Sequence, residues 1–575
     1  MNQTDPIITI AILLALALVG GMIAHRLRQP VILGYLLVGV AVGPHALGLV
    51  GDLALIEIAA TIGVTLLMFT LGLEISISQL KQASKVGIWG GVVQIVMTFI
   101  VGFFTGLALF RWPMSQAAIF GLMTSLSSTA VCLKILMERG ELDSVHGRIM
   151  IGILILQDIG AVAMMVIVPL MGGSLEALPV ALALAVGKAL LLGGLAIGAG
   201  LWVLPWLMGT IGGVRSRELF LLTVLVLSLG AALATQIFGL SAVFGAFLVG
   251  LVMRESRFGH QALAEITPLR DIFATLFFIS LGMLLDLSFV TAHWPSILAM
   301  VGTIIIIKFL VVSSTIRFFG YGNRIAIIAG AGLFQIGEFA FIIAQAGIKT
   351  NLISEQFYYS ILASTILTML LTSLSMSLAS RLSPNLPLVS PGGMPFAKKP
   401  HPVSISGPSV ESGQVLLAGY GRTGQTIAQG LQNAGIPHVI VDIDPERIAD
   451  ARKSGHPCIY GDASNQNVLS HAGLNKARIL LVTFPDPVAL VTTVKTALQF
   501  NPKLRVIARV HRAQEIESLK SMKAVELVNP EYEASLQFLR MALASFGQKE
   551  TDIRQIPPLA EKNGEFVEFG AREKS

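Results

Sequence analysis

An aspartate in the middle of an apolar helix suits one kind of chemistry: holding a proton or a cation in turn. Residues 152–162 read Gly-Ile-Leu-Ile-Leu-Gln-Asp-Ile-Gly-Ala-Val, with Asp158 near the middle and Gln157 before it. A carboxylate at the centre of a bilayer costs at least about 2.5 kcal/mol, so it needs a partner, a cavity or a task. Lys308 is a second buried charge, about fifteen residues into its own apolar stretch and too central to reach either surface easily. Asp158 is its natural partner. Ser127, Ser128 and Thr129 place a run of hydroxyls inside another apolar segment, and Glu338 follows a glycine-rich break in a third. An ionised Asp158 would attract a dehydrated cation, whose other ligands are expected from Gln157 and from hydroxyls or carbonyls near residues 127–129. Glu338 either holds a cation or caps the broken helix; the cap is the preferred reading.

A second chemistry sits near the C-terminus. A short apolar strand at 414–418 leads into Gly419-Tyr-Gly421-Arg422-Thr-Gly424, and a further strand ends in Asp442, 18 residues after Gly424. Glycines in that spacing permit a tight turn, close approach of backbone to phosphate and packing of helix on strand. An acid at the end of the second strand suits the ribose hydroxyls of a nucleotide. No convincing hydride-transfer constellation accompanies the motif, so a sensor or structural nucleotide is expected rather than an enzyme.

The elements that must position these residues follow from composition. The 575-residue chain is 54% hydrophobic and only 13% charged, which describes an integral membrane protein. Of its 74 Asp, Glu, Lys and Arg residues, 40 lie from Arg381 onward, so a membrane domain precedes a soluble one. Thirteen segments are long enough to span, or nearly so: 7–24, 31–43, 53–73, 86–110, 115–136, 147–171, 178–207, 218–238, 240–253, 272–285, 294–319, 323–346 and 355–380. Positive residues concentrate in alternate loops, which places those loops and the C-terminal domain in the cytoplasm and the N-terminus outside. The net charge of +6 is therefore read as topology, not nucleic-acid binding. Two cysteines, Cys132 and Cys458, in different domains can build neither a disulfide framework nor a CxxC metal site.

Spans five and twelve carry the breaks, seven apart. An odd offset reverses direction, so the expected membrane fold is an inverted repeat of six spans each, with two interrupted helices at its centre and span seven as the link. The domains are then 1–380, a proline-rich linker at 381–413, a Rossmann-like α/β domain at 414–546 and a tail at 547–575. The two Gly-Tyr-Gly tripeptides, at 320–322 in a loop and at 419–421 in the soluble turn, are not the filter of a potassium channel.

With these residues in place, the sequence resembles the Kef-type monovalent cation:proton antiporters over nearly its whole length. The shared motifs are Gly34 to Pro44, Phe69 to Glu74, Gln157-Asp158, Ser241 to Gly250, Phe277 to Met283 and Gly337-Glu338-Phe339. The resemblance implies that Asp158 binds the ion and carries the proton, that Lys308 pairs with it, and that the two interrupted helices cross beside it. Gln157, rather than a second acid, implies one-for-one exchange with potassium, sodium being the alternative. It also implies a cytoplasmic regulatory domain that binds an adenine nucleotide such as NAD(H) or AMP. Gly419, Gly421, Arg422 and Gly424 would face the phosphates, Asp442 the ribose, and Asp462 with Ala463 the adenine. A homodimer in the cell membrane is implied as well.

Overall fold

A computed structural model describes most of residues 6–546, apart from 49–52, 75–84, most of 173–215, 383–412, most of 511–524 and a few isolated positions. The expected seventh span, the linker and the tail lie wholly or largely outside the described residues. The chain divides into two units. The first comprises 1–135, 148–316 and 327–379; the second comprises 136–147, 317–326 and 380–575.

The first unit is helical. Its elements are α1 (Pro6–Arg26), α2 (Val31–Val42), α3 (Leu53–Glu74), α4 (Lys85–Ala108), α5 (Met114–Ser125), α6 (Thr129–Arg139) and α7 (Val145–Ile167), which ends in a 3-10 turn. After the undescribed stretch come α8 (Arg217–Ile237), α9 (Ala242–Arg254), α10 (Gly259–Met283), the short α11 (Leu287–Ala292), α12 (Trp294–Phe318), α13 (Asn323–Leu333), α14 (Phe339–Lys349) and α15 (Glu355–Leu382). Among the described residues, eight stretches, two of them combining consecutive elements, are long and apolar enough to cross a membrane, and five shorter apolar helices accompany them. Every expected span other than the seventh falls on one of these elements. One bound differs substantially: α10 begins at Gly259, because Glu265, Arg270 and Asp271 form a polar first half that a hydropathy reading leaves out.

The packing explains the glycines in the motifs that carry the resemblance. A Cβ on Gly39 would lie 2.1 Å from the Ile279 carbonyl oxygen, and one on Gly282 would lie 2.1 Å from that of Leu36, so α2 and α10 touch backbone to backbone. Gly72 and Gly250 bring α3 and α9 together in the same way, at 2.3 Å from Phe247 O and 2.1 Å from Phe69 O. Without a hydrophobic driving force in lipid, such close approach is how membrane helices gain contact.

Spans five and twelve are each broken as expected, α5 from α6 at residues 126–128 and α13 from α14 at 334–338.

The second unit holds a six-stranded parallel sheet in the order β3-β2-β1-β4-β5-β6. The strands are β1 (Val415–Ala418), β2 (His438–Asp442), β3 (Cys458–Tyr460), β4 (Ile479–Val482), β5 (Arg505–Arg509) and β6 (Val525–Val528). Between them run α16 (Arg422–Asn433), α17 (Pro445–Lys453), α18 (Gln466–His471) and α19 (Pro487–Phe500), with α20 (Pro530–Ser545) after β6. The order reverses beside β1, which is where a doubly wound sheet opens a ligand crevice. The core strands β1 and β2 are buried along their whole length, as helices on both faces require. Cys132 and Cys458 are buried free thiols.

Candidate functional site

The two breaks meet. Gly337 N donates to Leu126 O at 3.2 Å, the Ser127 hydroxyl donates to Leu333 O at 2.8 Å, and Gln335 Nε2 donates to Ser128 O at 3.3 Å. A Cβ on Gly337 would stand 2.7 Å from the Ser127 carbonyl carbon, so only glycine lets the backbones approach this closely. In hydrocarbon each unpaired peptide group costs several kcal/mol, and here the freed groups of one break are satisfied by the other.

Lys308 serves that junction. Its Nζ, fully buried, donates to Leu126 O at 2.6 Å, to the Ser127 hydroxyl at 2.9 Å and to Gln335 O at 2.7 Å. All three ammonium protons are thereby used. The expected pairing of Lys308 with Asp158 is corrected: among the described residues Lys308 has no carboxylate within ion-pair distance, because its stem ends at the carbonyls of the two breaks.

Asp158, 5% exposed, stands on α7 opposite the start of α6. Both its oxygens lie within reach of the Thr129 hydroxyl, at 3.1 and 3.0 Å. Thr129 is the first residue of α6, so the carboxylate faces the positive end of a half-helix. Of the three expected hydroxyls, only Thr129 touches Asp158. Ser127 belongs to the junction, and the Ser128 hydroxyl accepts from Val131 N at 3.2 Å, capping α6.

Gln157 is placed differently from the expectation. Its Oε1 accepts from Ser127 N at 2.7 Å, and its Nε2 donates to Gln94 Oε1 at 2.6 Å. Gln94 in turn donates to Thr98 Oγ1 at 3.0 Å and to Ser125 O at 3.1 Å. Gln157 thus ties the first break to α4 and does not turn its oxygen toward Asp158 as a cation ligand. Gln94 and Thr98 escaped the sequence reading, although a buried polar pair four apart in an apolar helix is a usable signal. Glu338 occupies the N-cap position of α14, yet its side chain makes no capping hydrogen bond, and Oε2 has no partner among the described residues. Its side chain does not cap α14, the half-helix that it begins; it lies against the Ala130 amide in the first turn of α6.

In the second unit, Gly419 has φ +104°, a conformation glycine adopts without strain, and a Cβ on Gly424 would meet Gly419 O at 2.1 Å. Gly421 is the N-cap of α16, whose first residue Arg422 is exposed. Asp442 ends β2 and accepts from Tyr420 N at 2.5 Å and from Asp444 N at 2.8 Å. Burial pushes its carboxyl above the usual range, against the opposing pull of Arg447, 3.8 Å away, and of those two amides. Asp462, just past β3, accepts from Ser464 N at 2.8 Å and lies beside buried Ala463. Its other oxygen meets Arg324 Nη1 at 3.3 Å, while Arg324 Nη2 reaches Asp486 at 2.6 Å. The sequence reading missed Arg324 and Asp486, which lie 138 and 24 residues from Asp462.

A membrane unit built on two interrupted helices that meet beside a buried carboxylate, joined to a doubly wound nucleotide-type sheet, defines a secondary transporter with a regulatory domain. Residues 12–380 match the family described as "Sodium/hydrogen exchanger, transmembrane", and residues 415–530 match the TrkA-N domain. The chain belongs to the sodium/hydrogen exchanger family, in its Kef-type arrangement with a C-terminal TrkA-N domain. It is 34% identical over 553 residues to YbaL of Escherichia coli (strain K12), whose name describes a cation/proton antiporter; the match covers 94% of this chain and 98% of that one. It is 32% identical over 540 residues to KefB of Alkalimonas amylolytica, named for K+ efflux antiport, covering 93% and 81%. Among solved structures, the sodium proton antiporter MjNhaP1 of Methanocaldococcus jannaschii shares the fold, with a TM-score of 0.50 at 19% identity, covering 66% of this chain and 96% of that one.

Proposed function

We propose that the protein exchanges a monovalent cation, potassium in the first instance, for a proton, and that Asp158 is the group both occupy in turn. The observation that carries this reading is the isolation of Asp158 among the described residues: it is buried, it faces the start of a half-helix, and Thr129 is its hydrogen-bond partner. A carboxylate that is neither ion-paired nor saturated by donors can release its proton to a cation and take it back. Exchange follows if one site is open to one side at a time and the two guests exclude each other. The potassium assignment draws on the K+ efflux name of the Alkalimonas relative; sodium is the alternative substrate.

The second unit supports nucleotide regulation. Its glycine turn, the N-terminus of α16 and Asp442 form a cradle of the kind that takes a dinucleotide or an adenine mononucleotide, with Asp462 and Ala463 on the adenine side. We place the chain in the cell membrane as a homodimer, with this domain in the cytoplasm and the N-terminus outside. The test is proton flux in liposomes holding the full chain, driven by potassium or sodium in turn, with and without NADH or AMP. Cation-driven flux in the wild type and none in Asp158→Asn is expected; normal exchange by a folded Asp158→Asn protein removes the assignment.

A further inference from the structure

Two buried oxygens in the second break have no partner among the described residues: Gln335 Oε1, on a residue with no exposure, and Glu338 Oε2, on one 8% exposed. A buried acceptor left unpaired is costly, more so when charged, so a native pair of them calls for an occupant. Their positions converge. The Gln335 amide is fixed by its bond from Nε2 to Ser128 O. The Glu338 carboxylate lies against the Ser128 hydroxyl and the Ala130 amide. Between Ser128 and Ala130 stands Thr129, whose hydroxyl holds Asp158. Three oxygen-bearing side chains, from α7 and from the break before α14, therefore surround the same three residues at the head of α6.

We infer that Gln335 Oε1 and Glu338 Oε2 are cation ligands supplied by the second interrupted helix, completing with Asp158 a site for a partly dehydrated monovalent cation. The inference rests on the exchange reading above and names that site's second half. Its chemistry is that of a hard ion, which takes carboxylate and neutral amide oxygens and has no use for a nitrogen donor. Gln335 presents the correct end, since its Nε2 is already spent on Ser128 O. Lys308, although close in sequence logic, is excluded as part of the shell because its three protons are committed to the junction.

The experiment is a titration of potassium, then sodium, against proton flux in liposomes bearing the full chain, for the wild type, Gln335→Ala and Glu338→Gln. Both variants are expected to raise the cation KM by roughly tenfold or more while the maximal rate falls by less than about threefold. If water fills the two acceptors, or they are merely structural, KM stays within about twofold of wild type whatever happens to the rate, and the inference is overturned. A cation-dependent rise in Tm of the detergent-purified protein gives a second readout: present in the wild type and lost in both variants if they are ligands, retained if they are not. Should Gln335→Ala fail to fold, Gln335→Met keeps the volume and removes the oxygen. Failure of the exchange reading is recognised separately, by full activity in Asp158→Asn. Normal KM in the two variants beside an inactive Asp158→Asn defeats this inference alone.

Discussion

The ammonium of Lys308 lies 2.9 Å from the Ser127 hydroxyl and donates to carbonyls of both breaks, so the buried lysine binds helix to helix and leaves Asp158 without an ion-pair partner among the described residues. Lys308→Met is therefore expected to remove the donor for three buried acceptors, lowering stability by on the order of 3 kcal/mol. Thermal unfolding of the purified protein checks it. The pH optimum of any residual exchange should stay within about half a unit of wild type, whereas a lysine paired to Asp158 would shift it.

Gln157 is expected to act on the scaffold. Gln157→Leu strands Ser127 N and Gln94 Oε1, which costs about 2–4 kcal/mol for two buried polar groups. The expected signature is a fall in Tm with little change in cation KM per folded molecule. A large rise in KM at unchanged Tm would restore Gln157 to the cation's shell.

The Arg324 fork meets two acids through separate nitrogens, with side chains 8%, 11% and 16% exposed. Removing one partner of so buried an arrangement typically costs about 3–5 kcal/mol. Arg324→Gln should show that loss in chemical or thermal unfolding. Arg324→Lys should recover only a minor part, because one ammonium cannot reproduce the planar fork.

Glu141 joins α6 to α7 and is bonded by Arg139 at 3.0 Å and by the His146 ring at 3.1 Å. Burial alone would raise its carboxyl, but His146 and Arg139 prevail and lower it from 4.5 to about 2. A depressed acid adds stability that is fully present above the ordinary carboxylate value and lost as pH falls through the depressed one. Wild type should therefore be more stable than Glu141→Gln at pH 7, by on the order of 3 kcal/mol in chemical unfolding. The gap should close between about pH 4.5 and pH 2. A gap independent of pH down to about 2 would contradict the ion-pair origin.

The helix contact through Gly39 and Gly282 leaves no room for a side chain, each Cβ falling 2.1 Å from a main-chain oxygen. Gly282→Val is expected to separate α2 from α10 and abolish insertion of folded protein, measured by monodispersity after extraction. Gly302, whose added Cβ would meet nothing within 4 Å, is the matched control, and Gly302→Val should be tolerated.

How far the sequence carried the reading depends on the range of each interaction. The glycine turn and Asp442 were legible because all their parts lie within 24 residues, from Gly419 to Asp442. The broken helices showed as hydroxyls and glycines inside apolar runs. Asp158 stood out because hydrocarbon makes any carboxylate conspicuous. The partners of Lys308 could not be read: two lie on the first break, 181 and 182 residues away, and two of the three are main-chain oxygens, which leave no trace in a side-chain pattern. Gln157 was misassigned for the same reason, its acceptor taking a peptide N–H. Arg324 looked like one more loop charge, since nothing local marks its acids.

The junction of the broken helices is made mostly of main-chain atoms, from Gly337 N on Leu126 O to the lysine on two carbonyls. Peptide groups do not mutate. Side chains around Asp158 can therefore be exchanged, and the ion preference retuned, without the crossing having to be rebuilt each time; the framework is inherited by glycine and lysine, and the selectivity by whatever stands next to it.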